Sequence, residues 1–587
     1  MDRETPLAEI RAEARTMTRS FGSNAVSKEE RNNSVVASSP VTASISHETI
    51  EPTEEQLATL PRHPDRLPIA AWLVAVVELC ERFTYYGVNA PFQNYMQNPR
   101  HDPSGIPGAL GLGQAGATGL SYFFQFFCYL TPIAGAIIAD QYFGKYKTIC
   151  LFAAVYLLGL LILFTTSLPV SINHGSALGG LVAAMIVIGL GTGGIKANVS
   201  PLIAEQYTNT QRYVRTLKSG AQVIIDPALT IQRIFMFFYA CINLGSLSAI
   251  ATTNIELHVD FWAAFLLPFC MFFIAILVLF IGRKKYVNRP PRGSIIPDCF
   301  RALWIAARHK NLDAAKGNPR WTDNFIDELR RALVACRIFL FYPIYWVCYG
   351  QMLNNFVSQA AQMELHGIPN DIMQNIDPLA ILLFIPILDY FVYPAMRRVG
   401  IRFLPITRIF FGFLFAALAM AYAAIVQHLI YTRGPCYDHP LAETCLGGAV
   451  PNRIHVAVQS PAYALTGLSE IFASITGLEY AFSKAPPSMK SFIMSIFLST
   501  NAIGAALGIA LSPTAKNPKL VWMYTGLSIT TALFAVAFWI FFRKYNQTED
   551  EMNELESLDV PHLQGAVANG REKPREANLS HAGTDKV

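Results

Sequence analysis

The sequence predicts an all-α membrane protein with twelve transmembrane helices arranged as two six-helix bundles. Composition, the number of long apolar runs and one polar interruption midway carry that expectation. Of 587 residues, 52% are hydrophobic and only 15% charged, with a mean hydropathy of +0.32, whereas soluble domains carry about 25% charged residues. Apolar runs of about 20 residues, long enough to cross a bilayer at about 1.5 Å per residue, lie at 68–96, 114–140, 147–168, 177–203, 232–253, 259–282, 333–357, 377–397, 404–430, 458–482, 490–513 and 519–543. The polar stretch 283–331 divides them six and six.

The domain organisation follows in order. Residues 1–66, rich in Ser, Thr, Glu and Arg, are expected to be a disordered cytoplasmic tail. The first apolar run is too long for the core of a cleavable signal, so it should stay in the membrane. An N-terminal bundle covers 67–282, a cytoplasmic linker 283–331, a C-terminal bundle 332–545, and a second disordered cytoplasmic tail 546–587. Within the linker, Ile296, Phe300, Leu303, Trp304 and Ala307 recur at helical spacing opposite Asp298, Arg301 and Arg308. That pattern fits an interfacial helix or a packed linker helix.

Charge placement sets the orientation, because Lys and Arg collect in cytoplasmic loops. Lys145 and Lys147 follow span two, Arg212, Arg215 and Lys218 span four, Arg397, Arg398 and Arg402 span eight, and Lys484 and Lys490 span ten. The opposite loops hold few cations, so both termini should be cytoplasmic, most simply at the plasma membrane. The net charge of +5 is then a topology signal and not a nucleic-acid footprint. Of ten cysteines, several, such as Cys128, Cys241 and Cys270, sit in apolar spans. Cys436 and Cys445 lie in a polar loop on the expected outer face, where either a disulfide or two free thiols fit.

Ionisable residues inside a bilayer cost a few kcal/mol on insertion scales and are functional candidates by default. Span one carries Glu78, Glu81 and Arg82 at i, i+3 and i+4, on one helix face. One acid can pair with Arg82; the other needs a distant cation or a proton, and desolvation beside a like charge suits a proton carrier. Lys196 follows a glycine-rich stretch of span four that permits close helix approach, and is the natural partner for the spare acid. Glu470, in span ten, belongs to the other half. A cationic pole therefore faces an anionic one, as a zwitterion requires, with Tyr85, Tyr86, Tyr95, Tyr129, Tyr345 and Trp346 as candidate walls. A static ion cluster and ordinary packing aromatics are the plain alternatives. No P-loop, HExxH or paired CxxC occurs, so neither an ATP-driven pump, a metal site nor an enzyme is suggested.

The span-one motif E-L-C-E-R-F-T-Y-Y-G resembles the ExxERFxYYG signature of the proton-dependent oligopeptide transporter (peptide transporter) family of the major facilitator superfamily. The blocks G-A-I-I-A-D-Q-Y-F-G-K-Y-K-T-I (135–149), F-F-Y-A-C-I-N-L-G-S-L (237–247), G-T-G-G-I-K and S-E-I-F-A-S-I-T-G-L-E-Y agree with it, over about 68–543. F-Q-N-Y-M and T-L-K-S-G look most like the fungal branch. The resemblance implies a major facilitator-type fold and a monomeric proton-coupled symporter of di- and tripeptides, with protons as coupling ion and no cofactor. It implies proton coupling by Glu78, Glu81, Arg82 and Lys196. The peptide carboxylate would lie near Arg82, Lys196 and Asn243, and its amino group at Glu470. Pocket aromatics would be Tyr85, Tyr86, Tyr95, Tyr129 and Trp346. The gate motif would be Gly135, Asp140, Gly144 and Lys145, with Asp140 capping a facing helix.

This chain also departs from the family pattern. A second span-one arginine is Asn89 here and its acidic span-seven partner is Gly350, so the outer gate must rest on other contacts. The span-two histidine of animal relatives is Tyr122. A pocket asparagine is Asp377, which adds to the negative pole. The 283–331 stretch leaves no room for the two extra helices of bacterial members. A nitrate-type carrier would need a span-seven histidine where Tyr349 stands. A peptide-sensing receptor would have no need of a proton pathway.

Overall fold

The computed structural model describes residues 52–546, apart from 210, 218–219, 221, 292, 401–402, 484–485 and 487–488. Most of both expected tails, and Lys218, Arg402 and Lys484, lie outside the described residues. The first six spans are built on α1 (Ile69–Asn89), α2 (Gly113–Ile138), α3 (Lys145–Thr166), α4 (Ala177–Lys196), α5 (Pro227–Ser246, carried on by Ser248–His258) and α6 (Phe261–Gly282). The second six are α7 (Tyr342–Gly350), α8 (Ile376–Ile387), α9 (Pro405–Thr432), α10 (Ser460–Glu470, carried on to Ser483), α11 (Lys490–Leu511) and α12 (Leu520–Phe542).

Ten helical runs among the described residues are long and apolar enough to cross a bilayer. The other two spans are α1 and α10, the two that carry the ionisable clusters around Glu81 and Glu470; the same charges that lower their hydropathy turn them toward the protein interior. α6 shows the opposite extreme. It is apolar almost all round, burying Phe265, Phe272 and Leu279 at seven-residue spacing and exposing Phe273, Phe280 and Ile281, as a lipid-facing helix does.

Each half has its own apolar core, one running from Ala70 to Tyr286 and one from Cys299 to Phe542. The second core includes linker residues. Helix Ile296–His309 buries Cys299 and Ala302 against it while Trp304 stays 74% exposed, so the linker helix is packed on one side and free on the other. A second linker helix, Asp323–Ala335, runs on toward α7 and buries Ile326, Leu329 and Ala332, an element the sequence reading leaves without structure inside the polar linker.

Two further features depart from the expectation. Residues 54–59 form a helix, and Arg62–His63 (β1) pairs with Gln222–Ile225 (β3), which also pairs with Tyr213–Thr216 (β2). The end of the expected disordered tail is thus tied to the loop after α4, where Asp65 accepts from Arg215 (3.1 Å) and Tyr213 (3.0 Å). Span one also breaks: α1 ends at Asn89, and Phe92–Gln97 is a separate short helix after Pro91, whose ring removes a backbone donor.

The hydrogen bonds joining the two bundles cluster in the half of the molecule toward the Cys436–Cys445 loop. Gln93 donates to Ser358 (3.0 Å), Asn94 to Asn370 (2.8 Å), Gln114 to Asn355 (2.9 Å) and Gln125 to Asn501 (2.9 Å). Tyr122 donates to the Val347 carbonyl and accepts from Gln351, each at 2.8 Å. Gly350 makes room for that ring, since a Cβ there would stand 2.5 Å from Tyr122 Cε1. Side-chain amides, the Ser358 and Thr118 hydroxyls and Tyr122 hold this seam.

Candidate functional site

The helical spacing of α1 puts Glu78, Glu81 and Arg82 on one buried face. Arg82 Nε donates to Glu78 Oε1 at 2.8 Å and lies 3.0 Å from Glu81 Oε2. The second contact lacks hydrogen-bond geometry, and among the described residues neither Glu81 oxygen has a hydrogen-bond partner although the side chain is 0% exposed. Two acids therefore crowd one guanidinium nitrogen, and the deeper one is left without a donor.

Lys196 does not complete this cluster as the sequence suggests. Among the described residues no carboxylate lies within 4.0 Å of its ammonium, which stands 3.7 Å over the Tyr129 ring and 5.9 Å from that of Tyr85. A ring face attracts a cation at these distances. Lys196 remains in electrostatic range of Arg82, Glu81 and Glu78. The glycines of α4 bring it close to α2 and α3, not to α1: a Cβ on Gly135 would meet the Gly193 carbonyl oxygen at 2.4 Å, and one on Gly194 the Phe152 ring.

The opposite pole lies on the second bundle. Glu470, half-buried at the end of α10, is within electrostatic range of Tyr349 and Asp377. Asp377 is itself buried, with Oδ1 free of a hydrogen-bond partner. Tyr86 and Tyr129, both on the first bundle, lie in electrostatic range of Arg82 and of Glu470. The same two tyrosines thus sense both poles. Trp346 is fixed on the second bundle by donating to Thr500 at 3.0 Å and by edge contacts with Tyr345 and Tyr349. Tyr85 packs edge-on against Tyr86 and stacks on Phe124.

Two expected site residues, Tyr95 and Asp140, are placed otherwise. Tyr95 is fully buried inside the first bundle, against Phe261 and Phe265, because the break at Pro91 starts a new helix with its own facing. Asn243 donates to the Tyr239 carbonyl on its own helix at 2.9 Å, two residues before Gly245, which packs against Arg82, and the Tyr239 hydroxyl is in range of Glu470. Asp140 caps no helix among the described residues. Its backbone carbonyl accepts from Gly293 at 2.9 Å, and its carboxyl senses Lys145 and Glu205, which are ion-paired with each other. Gly144, at φ +76°, forms the turn from that segment into α3. Cys436 and Cys445 are joined in a disulfide. Sequence reading missed Tyr239, and it missed Glu256 and Asp371, two buried acids at the bundle seam, because both fall outside the apolar runs.

A sequence model described as POT family matches residues 146–529. The chain belongs to the POT family. That places it among multi-pass membrane transporters and not enzymes. This POT-family chain is 56% identical over 518 residues to "Peptide transporter PTR_A" of Candidozyma auris, covering 87% of each. It is 52% identical over 513 residues to "Peptide transporter PTR2" of Saccharomyces cerevisiae, covering 86% of this chain and 84% of that one. The fold also matches the crystal structure of the POT family transporter PepTSo, with a TM-score of 0.66 over 82% of this chain and 99% of that one, at 22% identity. The POT-family chain therefore has the two-bundle fold that its apolar runs predict.

Proposed function

We propose that this chain is a monomeric proton-coupled symporter that imports di- and tripeptides by alternating access across the plasma membrane, with both termini cytoplasmic. The observation that carries the reading is that Tyr86 and Tyr129 lie in range of both Arg82 and Glu470. A molecule touching those rings would meet a cation at one end and carboxylates at the other, which suits a zwitterion. The names of the similar fungal proteins support a peptide as that zwitterion. An anion such as nitrate would find Glu470 and Asp377 repulsive. The orientation rests on the cations at the α2–α3 and α4–α5 turns, and on the disulfide in the opposite loop, which an oxidising compartment favours.

Proton coupling would centre on Glu81. With a proton, it ceases to compete for Arg82; the charges of Arg82 and Glu78 then cancel, and Lys196 leaves the group one net positive charge for the cargo carboxylate. Loss of that proton restores a doubly acidic partner for Arg82 and releases the cargo. Deciding between readings takes uptake of a labelled dipeptide into proteoliposomes under an imposed pH gradient, with nitrate in parallel. Accumulation of the dipeptide that needs an inward proton gradient is the expected result. Nitrate accumulation without dipeptide uptake, or dipeptide uptake indifferent to the gradient, would overturn the proposal.

A further inference from the structure

Glu256, on the helix that extends α5, and Asp371, on the turn Asn370–Asn375 before α8, come from different bundles and meet at the disulfide-side seam. Glu256 is 3% exposed and Asp371 0%, and their carboxyls are within hydrogen-bond reach of each other. Asn94 donates to Glu256 Oε1 at 2.9 Å and exchanges amide bonds of 2.8 Å with Asn370. Glu256 Oε2 and both oxygens of Asp371 have no donor among the described residues. Both residues are among those lining a cavity of about 190 Å³ that reaches the surface at Gly105 and Gly367.

No lysine, arginine or histidine lines that cavity among the described residues. The charged neighbours are otherwise engaged: Asp260 faces Arg100, His366 faces Glu364, and His258 is turned onto the Asn254 carbonyl. Asp102 is bound by the Ser104 amide. From α10 the Tyr463 hydroxyl senses Asp371, and Phe92–Gln97 contributes neutral Asn94. Two ionised carboxylates cannot make this contact in a buried setting without a cation, whereas an acid and a carboxylate sharing one proton can.

We propose that Glu256 and Asp371 form a second proton-binding site, separate from the α1 cluster, in which one proton taken from the outer solution bridges the two bundles and holds the outer gate shut. The proton binds when the gate closes and returns to the same side when it opens, so it gates without being carried across. An acidic exterior favours the closed gate and an alkaline one the open gate. The inference rests on the alternating-access reading of the fold and not on the cargo.

The test measures the distance across the seam in the purified full-length protein without substrate or gradient. Spin labels go on His258→Cys and His366→Cys, with Cys150 and Cys270 changed to serine. Raising the pH from about 5 to about 8.5, across the range a shared carboxyl proton is lost, should shift the wild-type population several-fold toward the long distance. Glu256→Gln and Asp371→Asn should each keep the short distance at both pH values, because an amide donates to the remaining carboxylate without a proton. Variants that respond to pH as the wild type does, or a wild type that does not respond, would overturn the proposal. Closure of the alkaline wild type by added calcium or sodium would overturn it too, by assigning the site to a metal cation.

Discussion

Lys196 holds its ammonium 3.7 Å above the Tyr129 ring and takes no carboxylate within ion-pair distance among the described residues. A lysine so placed keeps its charge for a ligand, since the ring face stabilises it without neutralising it. Cation–π contacts are worth about 1 kcal/mol, roughly five-fold in affinity. Tyr129→Phe, which keeps the face, should leave the apparent dipeptide affinity within two-fold of wild type by competition uptake, about the resolution of such a small term. Tyr129→Leu should weaken it about five-fold. Equal losses in both variants would assign the role to the hydroxyl instead.

Glu81 and Glu78 share Arg82 unequally, and the asymmetry predicts different phenotypes. Glu81→Gln mimics the proton-loaded cluster, so counterflow exchange of labelled dipeptide should persist while uphill accumulation driven by a pH gradient disappears. Glu78→Gln removes the carboxylate that accepts from Arg82 Nε at 2.8 Å and should reduce both. If Glu81→Gln accumulates dipeptide as the wild type does, the coupling proton sits elsewhere.

Glu470 and Asp377 form the anionic pole. A charged hydrogen bond contributes about 1.5–3 kcal/mol, which corresponds to roughly ten- to hundred-fold in binding. Glu470→Ala should weaken competition by dipeptides with a free amino terminus by about that factor and leave N-acetylated dipeptides nearly unchanged. Parallel losses for both classes would contradict a role in holding an ammonium.

The sequence exposes the parts of the site that follow from one helix and hides those that need two. Glu78, Glu81 and Arg82 are legible because three-and-four spacing alone puts them on a face. Tyr95 misleads, since nothing before Pro91 tells which way a restarted helix will turn. Lys196 invites pairing with the spare acid of α1 because charge balance is visible in sequence, whereas its seat over the Tyr129 ring is a matter of packing. Glu256 and Asp371 lie 115 residues apart in regions that read as polar span ends, so their meeting depends wholly on how the bundles dock. The β1–β3 sheet is hidden for a similar reason: its strands are two to four residues long and come from a tail and a loop.

The linker makes a prediction about acidity outside the membrane. Arg330 donates to Asp313 at 2.6 Å, and this hydrogen bond, with Lys316 adding to it, holds Asp313 below the ordinary carboxylate range. A carboxyl lowered by folding contributes stability above its unfolded value and loses it as pH falls through the folded one. Docking of the linker should therefore be constant from neutral pH down to about pH 4 and weaken below it. Modification of the buried Cys299 by a dipyridyl disulfide, quantified by mass spectrometry, reports undocking. Arg330→Ala should raise that modification at neutral pH, and protection indifferent to this change would exclude the Asp313 contact from the docking.

Gly350 and Tyr122 offer the sharpest steric test of the outer seam. A methyl group at 350 would stand 2.5 Å from Tyr122 Cε1, and the ring cannot retreat without breaking its 2.8 Å bonds to Val347 and Gln351. Overpacking of this kind costs about 1–3 kcal/mol, and here the cost falls on the closed seam alone, because the two bundles separate when the outer side opens. Gly350→Ala should thus shift the protein toward the outer-open form and slow net dipeptide uptake. Gly350→Ala/Tyr122→Leu, which removes the clashing ring, should recover part of the closed population in the same spin-label distance measurement. A Gly350→Ala protein whose seam closes like the wild type would contradict the clash with Tyr122.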